Sequence, residues 1–183
     1  MPDLPSNCVE RVRAGDVQAF EALFRVMHPA LLAFGTRYVG DAARAEELVQ
    51  DVFFTLWERR AEWIVTGSVP AYLFAAVRSR ALNLRRRDAV EQRWADDEAH
   101  EHVRALHPPP QRADTMLETT EARARLEAAM AALPPRLAQV MLMRWHGGMS
   151  YAEIANTLGI SAKGVENQLS RGLKALRAAL GSE

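Results

Sequence analysis

Ser150 to Leu180, SYAEIANTLGISAKGVENQLSRGLKALRAAL, decides how this chain folds. Ser150 and Glu153 stand three apart, so the serine hydroxyl can accept from the backbone of the third helical residue while the glutamate reaches back to the serine's own N–H. A helix starts there. Ile154 and Ala155 point inward, Leu158-Gly159-Ile160 makes a compact turn in which glycine accepts a left-handed backbone, and Ser161 caps a second helix. Val165, Leu169, Leu173, Leu176 and Leu180 recur at three- and four-residue steps and are expected to share one buried face. Lys163, Glu166, Asn167, Ser170, Arg171 and Lys174 fall opposite.

This is helix-turn-helix grammar. Between Ser161 and Leu180 the cations Lys163, Arg171, Lys174 and Arg177 oppose Glu166 alone, a net charge of +3 on a helix short enough to enter a major groove. A solvated face on a helical hairpin is the bland alternative. The capping box, the small Ala155, the turn glycine and a one-sided basic face coincide, and together they favour DNA.

The chain of 183 residues accommodates one domain or two small ones. Its 23 basic and 23 acidic residues balance, so total charge says nothing about nucleic acid. Distribution does. Tyr72 to Arg87 holds five Arg and no acid, whereas Asp88 to Glu118 holds eight acids against three Arg. The single cysteine, Cys8, excludes an internal disulfide and a cysteine-based zinc site, and it suits a reducing cytoplasm. No apolar run is long enough to span a bilayer, and Met1 to Glu10 lacks the order of a secretion signal, so a soluble cytoplasmic protein is expected. Ala, Leu, Arg and Glu dominate and β-branched residues never alternate for long, which predicts an all-α fold without strands or internal repeats.

In the N-terminal half, Asp16 caps a helix whose stripe is Phe20, Leu23, Phe24 and Met27, expected to break at His28-Pro29. Pro29 then opens a second helix through Leu32 and Tyr38 to Gly40. Asp41 caps a third, in which Ala45, Leu48, Val49, Val52, Phe53, Leu56 and Trp57 form an unbroken apolar face. Burying such a stripe contributes on the order of 10–15 kcal/mol before conformational entropy is subtracted. Its outer face carries Glu46, Glu47, Gln50, Asp51 and Glu58. By charge pattern alone an ordinary solvated face is the stronger reading, although acids beside Gln with almost no Lys also suit a docking surface for a basic helix.

After a loop containing Trp63, Thr66, Gly67 and Ser68, Pro70 opens a fourth helix burying Leu73, Phe74, Val77, Ala81 and Leu84. Arg78, Arg80, Arg85, Arg86 and Arg87 project from it, interleaved with Tyr72, Ser79 and Asn83. Arginine grips phosphate bidentately and rings stack on unpaired bases, so this helix fits a nucleic-acid backbone with exposed bases. A basic end complementing the helix dipole is the alternative, and five uncompensated Arg exceed that need.

Residues 91–114 read as an acidic linker stiffened by Pro108-Pro109-Pro110. His100, His102 and His107 lie in it without cysteine or helical spacing, a weak metal signal. Thr115 to Leu133 reads as a helix with Leu117, Leu126, Met130 and Leu133 inward. Pro134-Pro135 separates it from a helix carrying Leu137, Val140, Met141 and Trp145, which Gly147-Gly148 closes. Residues 1–90 and 115–183 are thus expected to form two small helical domains, a helix bundle and a four-helix unit ending in the helix-turn-helix.

In this order the pieces resemble the bacterial extracytoplasmic-function sigma factors, from Gly15-Asp16 to about Leu180. AFEALFRVMHPALLAFGTRYVGDAARAEELVQDVFFTLWERR is similar to the family's first helices and AYLFAAVRSRALNLRRRD to its promoter-melting helix. LPPRLAQVMLMRWHGGMSYAEIANTLGIS resembles its fourth region, and VENQLSRGLKAL its recognition helix. The resemblance implies that Glu47, Gln50 and Asp51 bind the clamp coiled coil of RNA polymerase, with the flap as a second contact on the core enzyme. It implies that Trp63, Tyr72, Arg78, Ser79, Arg80, Asn83, Arg85, Arg86 and Arg87 meet the −10 promoter element, the loop from Trp63 to Pro70 holding a flipped base. Ser161, Lys163, Glu166, Asn167, Ser170, Arg171 and Lys174 would meet the −35 element.

Tyr72 stands where many members carry Trp, Ser79 where many carry Asn, and Glu166-Asn167-Gln168 replaces a commoner basic run. An anti-sigma protein is the implied regulatory partner. Catalytic residues, metals and cofactors are not expected, since no P-loop or nucleophile motif is present. The rivals are a stand-alone helix-turn-helix regulator of the LuxR type, which needs neither the acidic ridge nor the arginine helix, and an enzyme built on His100, His102 and His107.

Overall fold

A computed structural model describes residues 4–5, 7–96 and 117–181. His100, His102, His107 and most of the expected linker therefore lie outside the described residues. Among those described there are eight α-helices and no strand. They run α1 (Cys8–Arg13), α2 (Val17–Val39), α3 (Ala42–Glu58), α4 (Val69–Asp96), α5 (Leu117–Ala132), α6 (Pro135–Trp145), α7 (Tyr151–Leu158) and α8 (Ala162–Leu180), with a single 3-10 turn at Arg60–Glu62.

Local chemistry sets the helix starts. Asp16 accepts from Ala19 N at 3.1 Å and Asp41 from Arg44 N at 2.8 Å, each answering an N–H that has no partner inside its helix. Arg11 reaches Asp16 at 2.7 Å and ties the short α1, which the sequence reading had not resolved, to the start of α2. Gly40 ends α2 with φ +73°, a left-handed cap that glycine adopts without strain.

Pro29 does not break the chain. The two helices expected on either side of it are one continuous α2 of 23 residues. The ring faces solvent, while Met27, Ala30, Leu31 and Phe34 beside it are buried, so packing outweighs the one hydrogen bond that proline forfeits. α2, α3 and α4 pack on one another as the first domain. Its core joins Leu23, Leu31, Phe34, Val49, Phe53, Leu73, Phe74 and Val77, with Phe34 and Phe74 edge to face at 5.0 Å.

The second domain assembles α5, α6, α7 and α8 around Leu137, Met141, Met143, Ile154, Val165 and Leu169. Gly172 lets α8 approach α6 so closely that a Cβ there would sit 2.8 Å from Met141 Sδ. Three apolar residues expected inward are exposed instead: Leu126 on α5, Trp145 at the end of α6 and Leu180 at the end of α8. Leu117 falls where side chains are not described.

Candidate nucleic-acid interface

The solvent face of α3 exposes Glu47, Gln50 and Asp51, with Leu48, Val49 and Val52 buried between them. Glu46 stands apart from this face. Its Oε1 lies 2.9 Å from His28 Nε2 and accepts from Gln50 Nε2 at 2.9 Å, bracketing α2 to α3. Phe54, 62% exposed, continues the ridge one turn beyond Gln50 and Asp51. The sequence reading missed it, although an aromatic between Asp51 and Glu58 on an acidic face was a usable signal.

On α4, Tyr72, Ser79 and Asn83 are exposed at seven- and four-residue steps and so share a face, and Arg85, Arg86 and Arg87 are exposed beyond them. Arg78 and Arg80, earlier in the helix, are half-buried and engaged. Arg80 donates to Thr55 Oγ1 at 2.7 Å, fastening α4 to α3, and Arg78 donates to Leu158 O at 3.3 Å, in the helix-turn-helix. Trp63 is 4% exposed and lies 5.9 Å from the Tyr72 ring, where it supports the loop leading into α4. Asp88 pairs with Arg44 at 2.8 Å and closes the basic stretch.

The helix-turn-helix is built as its sequence implied. Ser150 and Glu153 form the full capping box, Gly159 turns the chain at φ +69°, and Ser161 Oγ accepts from Gly164 N at 3.0 Å. Burial alone would raise the Glu153 carboxyl, but hydrogen bonds from Ser68 and Ser150 hold it below its usual value. Along α8, Val165, Leu169 and Leu176 are buried and Lys163, Glu166, Asn167, Ser170, Arg171 and Lys174 are exposed. Lys163 Nζ lies 2.8 Å from Glu166, so the one acid of this face is neutralised by its neighbour. The hydroxyl of Ser161 is already engaged in capping.

A helical bundle bearing an arginine-rich helix, followed by a capped helix-turn-helix with an open polar face, defines a multi-domain DNA-binding transcription factor. Residues 23–90 match the family model described as Sigma-70 region 2, and residues 123–176 match Sigma-70, region 4, together about two thirds of the chain. The chain belongs to the sigma-70 family of RNA polymerase sigma factors and is of the extracytoplasmic-function type.

Among curated relatives, the ECF sigma factor SigK of Mycolicibacterium vanbaalenii is 25% identical over 175 residues, covering 94% of this chain and 87% of its own. The ECF sigma factor RpoE of Cereibacter sphaeroides is 26% identical over 167 residues, covering 88% and 86%. Two solved structures share the fold. RpoE of Bartonella quintana, solved with the anti-sigma factor NepR, has a TM-score of 0.59 at 23% identity over 90% of this chain and 98% of that one. CnrH, solved with the cytosolic domain of CnrY, has a TM-score of 0.56 at 20% identity over 99% of each.

No helix among the described residues is long and apolar enough to cross a membrane, and no described group of three His, Cys, Asp or Glu could hold a metal. Cys8 is 3% exposed, and burial pushes its thiol up, away from the reactive thiolate.

Proposed function

We propose that this chain carries RNA polymerase core to promoters in the cytoplasm and starts strand separation there, using three surfaces. Glu47, Gln50 and Asp51, with Phe54 as their apolar anchor, dock a basic coiled coil of the core enzyme. Tyr72, Ser79 and Asn83 face the bases of the −10 strand, with Arg78, Arg80 and Arg85 to Arg87 on its phosphates, and Trp63 supports the loop around a flipped base from beneath. Lys163, Glu166, Asn167, Ser170, Arg171 and Lys174 meet the −35 duplex, with Ser161 presenting the N-terminus of α8 to a phosphate. No step consumes a nucleotide. Unstacking a base costs a few kcal/mol, which pocket contacts and phosphate neutralisation offset.

The observation that carries this reading is the coexistence, in one chain, of an exposed Arg85-Arg86-Arg87 run beside Tyr72 and a separately capped helix with an open polar face. A stand-alone regulator would need only the second. The residues 1–90 and 115–183 then act as the −10 and −35 domains. RpoE and CnrH were both solved with a bound partner, an anti-sigma factor in the case of RpoE, and an anti-sigma protein is the expected regulator here.

Transcription in vitro with core enzyme on a promoter library tests the proposal. Discrete transcripts should appear only when the chain is added. Core enzyme that ignores the chain, or a chain that binds promoter duplex tightly and specifically by itself, would contradict it.

A further inference from the structure

His28 of α2 belongs to none of the three surfaces, yet it is bonded to the edge of one of them. Its Nε2 lies 2.9 Å from Glu46 Oε1 on α3, and the same oxygen takes the amide Nε2 of Gln50 at 2.9 Å. A carboxylate only accepts, so the imidazole carries a proton on Nε2 and both neighbours donate to Glu46. The Phe24 ring holds the imidazole in place. Their centroids are 4.6 Å apart with the planes inclined by 31°, and Phe24 packs in turn on Phe53 of the core at 4.8 Å. His28 and Glu46 are half-buried and Gln50 is exposed, so the bonds run from the seam between α2 and α3 out to the docking ridge.

Of the three ridge residues assigned to polymerase, only Gln50 has two chemically different ends. Glu47 and Asp51 offer oxygen to a basic helix however they turn. Gln50 offers a carbonyl in one orientation and an NH2 in the other, and lysine and arginine are donors alone, so the wrong orientation sets donor against donor. Glu46 removes that ambiguity by engaging the NH2 end, which leaves the carbonyl oxygen for a donor on another molecule. A bond between side chains four apart on a helix surface is marginal by itself. His28, reaching across from α2 and clamped by Phe24, fixes the carboxylate on which that bond depends. A side chain already held in its bound orientation loses less freedom on docking.

We infer that His28 is a positioning residue for polymerase docking: through Glu46 it sets Gln50 with its carbonyl oxygen outward, ready for a basic side chain of the core enzyme. The inference rests on the assignment of the α3 ridge to polymerase. A bracket that only joined α2 to α3 would act alike whatever stood at position 50. Positioning makes His28 matter to docking only while Gln50 is present.

Titration of the full chain, labelled with fluorescein at its N-terminus, against core enzyme tests this by anisotropy. His28→Phe keeps a ring against Phe24 and deletes the N–H, and it should weaken binding about fivefold, the loss of one oriented hydrogen bond. His28→Gln, whose amide can again donate to Glu46, should restore binding to within about twofold of the parent. In a Gln50→Ala background, itself weaker than the parent, His28→Phe should lower affinity no further. His28→Leu takes the place of His28→Phe should circular dichroism show the phenylalanine variant misfolded. Parent-like binding by His28→Phe, failure of glutamine to rescue, or a loss of the same size in the Gln50→Ala background would each overturn the positioning role. A parent chain that core enzyme ignores is a different outcome, and it would sink the docking assignment itself.

Discussion

Ser150 shows how much a single hydroxyl can set. It accepts from Glu153 N at 3.3 Å and donates to the Glu153 carboxylate at 2.8 Å, and that carboxylate also bonds Ser68 of the other domain. Ser150→Ala should cost about 1 kcal/mol, measured by urea unfolding, because an N-cap is lost without a cavity forming. Linkage gives the sign at Glu153. A carboxyl held below its ordinary value of 4.5 adds stability that is fully present above that value and lost as pH falls through the folded value. The parent's urea midpoint should therefore drop below about pH 4.5, and Glu153→Gln should lack that part of the loss. Cys8, buried and with a raised thiol, should react slowly with iodoacetamide until urea exposes it. These side chains were legible in the sequence because caps are local rules. The partnership of Glu153 with Ser68 was not, since 85 positions separate them and only the fold brings them together.

At the scale of the helix, α2 and α3 mark where sequence patterns carry and where they stop. The α3 stripe was legible because apolar residues recur at helical spacing, and Ala45, Leu48, Val49, Val52, Phe53 and Leu56 are all buried. α2 was misdivided because proline propensity is a local penalty, while the burial of Met27, Leu31 and Phe34 that overrides it is tertiary. Pro29→Ala should raise stability by about 1–2 kcal/mol, the recovered helical bond less proline's restriction of the unfolded chain. A fall in the urea midpoint would mean the ring packs usefully. On α3, Gln50→Ala with Asp51→Arg should abolish co-purification with core polymerase and leave stability within about 0.5 kcal/mol, as surface changes do. On α8, Arg171→Ala should weaken duplex binding and make the salt slope shallower by about one unit, the signature of one phosphate contact.

Over the whole molecule, charge balance conceals two basic surfaces, one acidic ridge and an acidic stretch between the domains. That segregation was visible in sequence because charges cluster along the chain. The fastening of the domains was hidden because Arg37 bonds backbone carbonyls, which every residue possesses and no pattern marks. The central claim is that this chain opens promoter DNA only in company with the polymerase core. Permanganate oxidation of unpaired thymines, on a promoter chosen from the transcription library, tests it most directly. Reactive thymines should appear in the −10 region when both core enzyme and chain are present and with neither alone; no reactivity with both, or opening by the chain by itself, would contradict it.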